Sequence, residues 1–207
     1  MKTLGVLSQK GGVGKTTLAV HLAVLADAVL IDTDPQRSAY GWKRMREAER
    51  PVVTYQPVEK LGEILDKVRS AGAKRVIVDT AGKADGGLAE VVRLSDLVVI
   101  PTRTGFFDLN AVGQTVKLVA ATGRRAVFVL TLTPAPRPEG EMSVVREARE
   151  ALAVFKLPIA PVALTQRAVL QHSLNSGHAV TEFDPGGKAA AELRDLWAFL
   201  QEELDRE

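Results

Sequence analysis

Residues 3–17 read TLGVLSQKGGVGKTT, and the fold turns on how that stretch is parsed. TLGVL (3–7) is a short, nearly continuous apolar run, the pattern of a strand buried on both faces. GKTTLAVHLAVLAD (14–27) carries its apolar residues at helical spacing. Between the two, Gly11, Gly12 and Gly14 let backbone N–H groups turn inward at the positive end of the coming helix, which makes a concave site for an anion. This strand–loop–helix order predicts that the segment from Lys10 through Gly11, Gly12, Val13, Gly14, Lys15, Thr16 and Thr17 wraps phosphates. Lys15 is placed to neutralise β- and γ-phosphates, and the Thr16 hydroxyl to ligate Mg²⁺. One position is unusual. The common pattern has glycine five places before the Gly-Lys pair; here Gln9 stands there and a second lysine, Lys10, follows it.

Further along, AVLID (28–32), RVIVD (75–79), DLVVI (96–100) and RAVFVLTL (125–132) repeat the buried-strand pattern. VEKLGEILDKVRSAG (58–72) and DLNAVGQTVKLVAATG (108–123) are amphipathic, and Gly123 suits a helix C-cap. TPAPRPEG (133–140) is the one proline-rich loop and leads into a helix expected over 139–155. Alternating strands and helices imply right-handed crossovers. The expected fold is a three-layer α/β P-loop NTPase with a mostly parallel sheet flanked by helices on both faces, a single domain over 1–207. Ligands of such sheets bind at the carboxyl ends of the strands.

Composition narrows the function classes. The chain has 207 residues, 46% of them hydrophobic, and no cysteine, which removes disulfides, iron–sulfur clusters and thiolate zinc sites. The apolar stretch in MKTLGVLSQKGG is too short for a signal peptide, and no run approaches the roughly 18 apolar residues of a membrane span, so a soluble chain with no membrane partner is expected. A net charge of +2 is only mildly basic. The basic residues gather in RSAYGWKRMREAER (37–50), with others at Arg103, Arg124, Arg125, Arg137, Lys156, Arg167 and Lys188.

Carboxylates stand where a phosphate site needs them. VIVDTAG (76–82) ends a strand in Asp79, suited to hold Mg²⁺ through water, with Gly82 three residues on where a backbone N–H could sense a γ-phosphate. LIDTDPQ (30–36) ends another strand with Asp32 and Asp34, which alternate to opposite faces while the strand stays extended. Asp32 joins Asp79 and Thr16 as the expected magnesium set. No Asn-Lys-x-Asp guanine-reading sequence occurs, which favours ATP.

KGGVGKTT (10–17) resembles the deviant phosphate loop of ParA-type ATPases, the family that includes plasmid and chromosome partition proteins and the division-site regulator MinD. DTDPQ (32–36) resembles the segment in which the partition branch carries a water-orienting aspartate, here Asp34. TQRAVLQHSLNSGHAVTEFDPGGKAAAEL (165–193) resembles that branch's closing segment. The similarity spans essentially the whole chain and is greatest to the small plasmid partition ATPases. It implies that Lys10 crosses a two-fold interface to phosphates held by the other subunit. The catalytic set is then Lys10, Lys15 and Asp34, the cofactors are ATP and Mg²⁺, and the assembly is an ATP-dependent homodimer. It further implies non-specific DNA binding by the ATP-bound dimer, and release by a ParB-like or ribbon-helix-helix partner that stimulates a weak intrinsic ATPase. The location implied is cytoplasmic, on the nucleoid when ATP is bound. Lys188, with Arg167 and Lys156, is a candidate DNA contact. Thr133, Thr165 and Gln166 are expected near the adenine, although LTLTPAP (130–136) lacks the asparagine some relatives carry there.

Other classes remain open. A cargo-positioning ATPase would carry the same nucleotide machinery. A ligase or synthetase would need a small-molecule acceptor and have no use for Lys10. A MinD-like membrane switch would end in a basic amphipathic helix, whereas the last stretch, ELRDLWAFLQEELDRE (192–207), is acidic at its tip. His21, in the first helix, and His172 and His178, in a late loop, have no metal-site spacing. Trp197 reads as core, and Trp42 as packed beside the switch segment.

Overall fold

The computed structural model describes residues 1–82, 87–138 and 140–206. Six parallel strands form one sheet in the order β3-β2-β4-β1-β5-β6. They are β1 (Lys2–Val6), β2 (Val29–Asp32), β3 (Val53–Tyr55), β4 (Arg75–Asp79), β5 (Leu97–Thr102) and β6 (Ala126–Leu130). Crossovers run through α1 (Lys15–Leu25), α2 (Ser38–Met45), α3 (Leu61–Ser70), α4 (Gly87–Leu94) and α5 (Phe106–Thr122); α6 (Ser143–Ala153), α7 (Ala168–Asn175), α8 (Val180–Phe183) and α9 (Lys188–Asp205) follow the last strand.

The apolar strands are buried on both faces because successive side chains feed different cores. Ile77, Val99, Val127 and Val129 join Leu18, Leu22, Trp42, Leu193, Leu196 and Trp197 in the layer of α1, α2 and α9. Val76, Val78, Val98, Ile100 and Phe128 join Leu61, Leu65, Val91, Val112 and Leu152 in the layer of α3 to α6. This is the three-layer architecture expected, with the sheet wholly rather than mostly parallel.

Several local expectations change. The three-residue β3 and the helices α2, α4, α7 and α8 add to the sequence reading. His172 lies in α7 rather than in a loop. The helix expected from residue 139 is described from Ser143, and Glu139 itself lies outside the described residues. α9 turns its apolar side inward, burying Leu193, Leu196, Trp197, Leu200 and Leu204, so it offers no free apolar face to a lipid surface. Among the described residues no helix is long and apolar enough to cross a membrane.

In the strand order, β1 lies between β4 and β5, so the chain leaves it in both directions. That reversal opens a crevice at the carboxyl end of β1, and the 8–14 loop fills it.

Candidate functional site

Gly14 caps α1 with φ 83°, a left-handed conformation that a side chain would strain, and the backbone then enters the helix at Lys15. Four tethers hold the ground beneath the loop. Leu7 N–H donates to the Val99 carbonyl at 3.0 Å, and the Thr80 hydroxyl to the Val6 carbonyl at 2.8 Å. The Thr131 hydroxyl, buried at the end of β6, sits 2.8 Å from the Val13 carbonyl and 3.2 Å from the Thr102 carbonyl. Thr131 escaped the sequence reading, because a threonine ending a strand carries no signal of the loop it will meet 118 residues away.

The two lysines of the loop behave differently. Lys15 is only 8% exposed and its Nζ donates to the Lys10 carbonyl at 3.1 Å, inside the curl of the loop. Burial lowers its pKa, while Asp79 and Asp34 pull it back up. Lys10 is exposed and makes no ion pair among the described residues.

Asp79 ends β4 opposite Val6 of β1 on one side and Asp32 of β2 on the other. Its carboxylate is fully buried and neither oxygen has a hydrogen-bond partner. Burial raises its pKa to about 7, an effect that the nearby Thr16 hydroxyl and Lys15 only partly offset. An orphaned buried carboxylate beside a threonine hydroxyl fits a hydrated divalent cation, since a positive charge there would satisfy both oxygens.

Asp32 is different. Its Oδ1 accepts the Asp34 N–H and its Oδ2 the Tyr40 N–H, each at 3.0 Å. Both oxygens already brace the turn into α2, so Asp32 is primarily a structural anchor, and any part in a magnesium shell uses its remaining lone pairs. The strand does not stay extended to Asp34, as its sequence alternation suggested. β2 ends at Asp32, and Asp34 Oδ1 accepts the Gln36 N–H at 2.9 Å in a turn. The turn leaves Asp34 half-buried on the same side as Lys15, whose pKa it raises.

Gly82 follows the β4 end closely. A Cβ there would stand 3.2 Å from Lys15 Nζ and 3.3 Å from Gly11 Cα, so any side chain would crowd the phosphate loop.

Beyond the loop a groove of about 580 Å³ opens, lined by Thr17, Leu132, Pro134, Gln166, Ala168 and Gln171 among others. Its position past the first turn of α1 suits a nucleoside. Thr133, in its lining, and Thr165, outside it, are both buried and bond within the protein. Thr133 N–H donates to the Leu164 carbonyl at 3.1 Å, and the Thr165 hydroxyl donates to Glu192 at 2.8 Å. Gln166 is exposed at the rim.

The three basic candidates do not converge. Arg167 pairs with Glu192 at 2.8 Å through one terminal nitrogen. Lys188 opens α9, a helix about 27 Å long by its rise, and the far end of that helix, at Leu204, accepts a bond from Lys2 at the start of β1. Lys156 lies two residues before Pro158, whose carbonyl accepts the Phe128 N–H at the middle of β6.

With this geometry in view, residues 4–176 match the family model for the CobQ/CobB/MinD/ParA nucleotide binding domain, CbiA. The chain belongs to that family. Maintenance of carboxysome distribution protein A from Gloeobacter kilaueensis is 33% identical over 214 residues, covering 100% of this chain and 95% of that protein. Protein ParA from Rhizobium radiobacter is 31% identical over 126 residues, covering 58% of this chain and 57% of that protein. Among solved structures, an ATP complex of a Cyanothece McdA variant superposes with a TM-score of 0.77 at 16% identity, covering 100% of this chain and 97% of that one, a likeness of fold. By membership the chain is thus a nucleotide-binding protein of the MinD/ParA type.

Proposed function

We propose that this ParA/MinD-family protein is an ATP-switched homodimer that positions a cellular cargo by cycling on and off non-specific DNA. The carrying observation is the division of labour within one loop: Lys15 buried with its ammonium turned inward, and Lys10, five residues earlier, exposed and uncommitted. A buried lysine can serve only the nucleotide in its own subunit. An exposed one beside a desolvated triphosphate gains a charge-assisted contact when a second copy closes over the site. ATP then interacts differently with monomer and dimer, which is what a switch requires.

In hydrolysis, the Lys15 ammonium and the inward N–H groups of residues 11–16 stabilise negative charge on the transferred phosphoryl group. Thr16 and Asp79, with Asp32 behind them, would hold Mg²⁺, which when bound neutralises phosphate charge. Asp34 is held by the Gln36 N–H through one oxygen and orients the attacking water with the other. Turnover is slow until a partner protein completes the charge stabilisation, by analogy with residues supplied in trans that are worth about 10³ to 10⁵ in rate.

A protein assembly as cargo is supported by the full-length similarity to a carboxysome distribution protein. DNA as cargo, with a ParB-like or ribbon-helix-helix partner, is the second reading, favoured by the shorter match to ParA. Both use the nucleoid as the track. Lys188, at the nucleotide end of the molecule, is the DNA contact this reading favours over Lys156.

The test is binding to unrelated duplex DNA with ATP, ADP or no nucleotide at two salt concentrations. Salt-sensitive binding only with ATP is expected. Affinity independent of nucleotide would contradict the switch. Recovery of a cargo-associated partner, either a shell protein or a centromere-binding protein, then separates the two cargo readings.

A further inference from the structure

Arg46 lies just past the end of α2, and its side chain is 4% exposed, an unusual burial for a residue outside the phosphate site. Its Nε donates to the Arg50 carbonyl at 2.6 Å. One terminal nitrogen donates to the Gly177 carbonyl at 3.0 Å and to Glu182 Oε2 at 2.7 Å, and the other donates to Glu182 Oε1 at 2.6 Å. This two-pronged pairing fixes orientation as well as distance. The guanidinium also lies 5.3 Å over the Trp42 ring. The acceptor is itself held, because Glu182 Oε2 accepts the Ala179 N–H at 2.9 Å. Gly177 has φ 74°, and a Cβ there would stand 2.6 Å from the Met45 carbonyl oxygen, so the two segments meet with no room to slide.

The segments so joined lead to opposite ends of the site. α2 begins four residues after Asp34, at Ser38, and its Tyr40 N–H is tied to Asp32. Gly177 follows α7, and residues Ala168, Leu170 and Gln171 of that helix wall the groove assigned above to the nucleoside. The structure assigns Arg46 and Glu182 a positioning role: their bridge couples the base-side wall, α7, to the Asp32–Asp34 turn, so that filling the groove sets the geometry at Asp34. This rests on the ATPase reading given above. A rigid, discrete tie of this kind transmits position because packed elements move as units rather than deforming smoothly.

The test compares wild type with Glu182→Gln, Arg46→Lys and the double Arg46→Met/Glu182→Met variant. The double variant leaves no isolated buried charge, so it keeps the fold if the single variants do not. Turnover and KM are measured with MgATP and with magnesium tripolyphosphate, which carries the phosphates and no base. The expected result is a fall of about fivefold or more in the ratio of kcat for ATP to kcat for tripolyphosphate, carried by kcat rather than KM. A wild-type ratio in every folded variant, even one with a lower melting temperature, would reduce the bridge to a structural tie and overturn the inference. Trp42 emission in a Trp197→Phe background supplies a readout independent of turnover. The difference between its responses to ATP and to tripolyphosphate should be present in wild type and lost in the variants. If wild type hydrolyses neither compound, the ATPase reading fails, and this emission difference decides the coupling: its loss in the variants supports the bridge, and its persistence contradicts it.

Discussion

The proposed phosphate end and the proposed nucleoside end of the site are built by opposite strategies. The phosphate loop is local. Residues 10–17 form one continuous loop whose shape follows from three glycines and a helix start, and its tethers run to strand ends already fixed by the sheet. The nucleoside groove is assembled from the 132–134 turn, the start of α7 and the first turn of α1, with Glu192 of α9 holding Thr165 and Arg167 from behind. A continuous loop is rigid by its own backbone, whereas an assembled groove depends on how distant pieces pack. The first should therefore lose function abruptly when a single charge is removed. The second should respond in smaller, distributed steps.

The largest effect expected from that contrast is at Lys15. Lys15→Ala removes the buried ammonium from the loop, and ATP hydrolysis should fall by about 100-fold or more; a steady-state ATPase assay that finds less would mean that the local strategy is wrong.

The next effect belongs to the groove side and is a pH dependence. His21, on α1, is 1% exposed, its Nδ1 accepts the Val180 N–H at 3.2 Å, and burial lowers its pKa to about 4, against weaker opposing pulls from the Leu170 carbonyl and Glu182. A histidine with a lowered folded pKa binds its proton more readily in the unfolded chain. Stability should therefore be undiminished above the ordinary value near 6.5 and decline as pH falls toward 4, by up to about 3 kcal/mol. Chemical denaturation of wild type beside His21→Gln checks the sign, since the amide can accept the Val180 N–H without titrating. Parallel pH profiles would remove His21 from the account.

Thr131→Val should come third. It keeps the shape and loses the hydroxyl that reaches the Val13 and Thr102 carbonyls. A loss of about 1–2 kcal/mol in stability is expected, together with weaker ATP binding by calorimetry. An unchanged ATP affinity would show that the loop does not need this tether. The smallest effect is at Gln166, exposed on the groove rim. Gln166→Ala should raise KM for ATP by about two- to fivefold with kcat intact, and a large fall in kcat would contradict the assembled-groove view.

The same contrast explains what could be read from the chain. TLGVL, AVLID, RVIVD, DLVVI and RAVFVLTL each fall on an observed strand within a few residues, because strands buried on both faces must be apolar throughout. Val53–Tyr55 was missed because three residues at the sheet edge show no periodicity. In the site, Lys15, Thr16 and Asp79 were legible from local spacing. Asp32 was legible as a strand-end carboxylate, but its bonds to the Asp34 and Tyr40 N–H groups depend on a turn that alternation cannot foresee. Thr133 lines the groove while Thr165 stands outside its lining, and the hydroxyls of both bond within the protein, which spacing does not foretell. Arg167 meets Glu192, 25 residues further along the chain. Contacts of that span leave no trace in spacing.

The central claim is that Lys10 serves a second subunit while Lys15 serves its own. The most direct measurement is the mass of the particle, by light scattering with ATP and Mg²⁺, for an Asp34→Ala protein that retains its nucleotide and for the same protein carrying Lys10→Ala. The account predicts an ATP-dependent dimer for the first and a monomer that still binds ATP for the second. A Lys10→Ala protein that dimerises as before would contradict it.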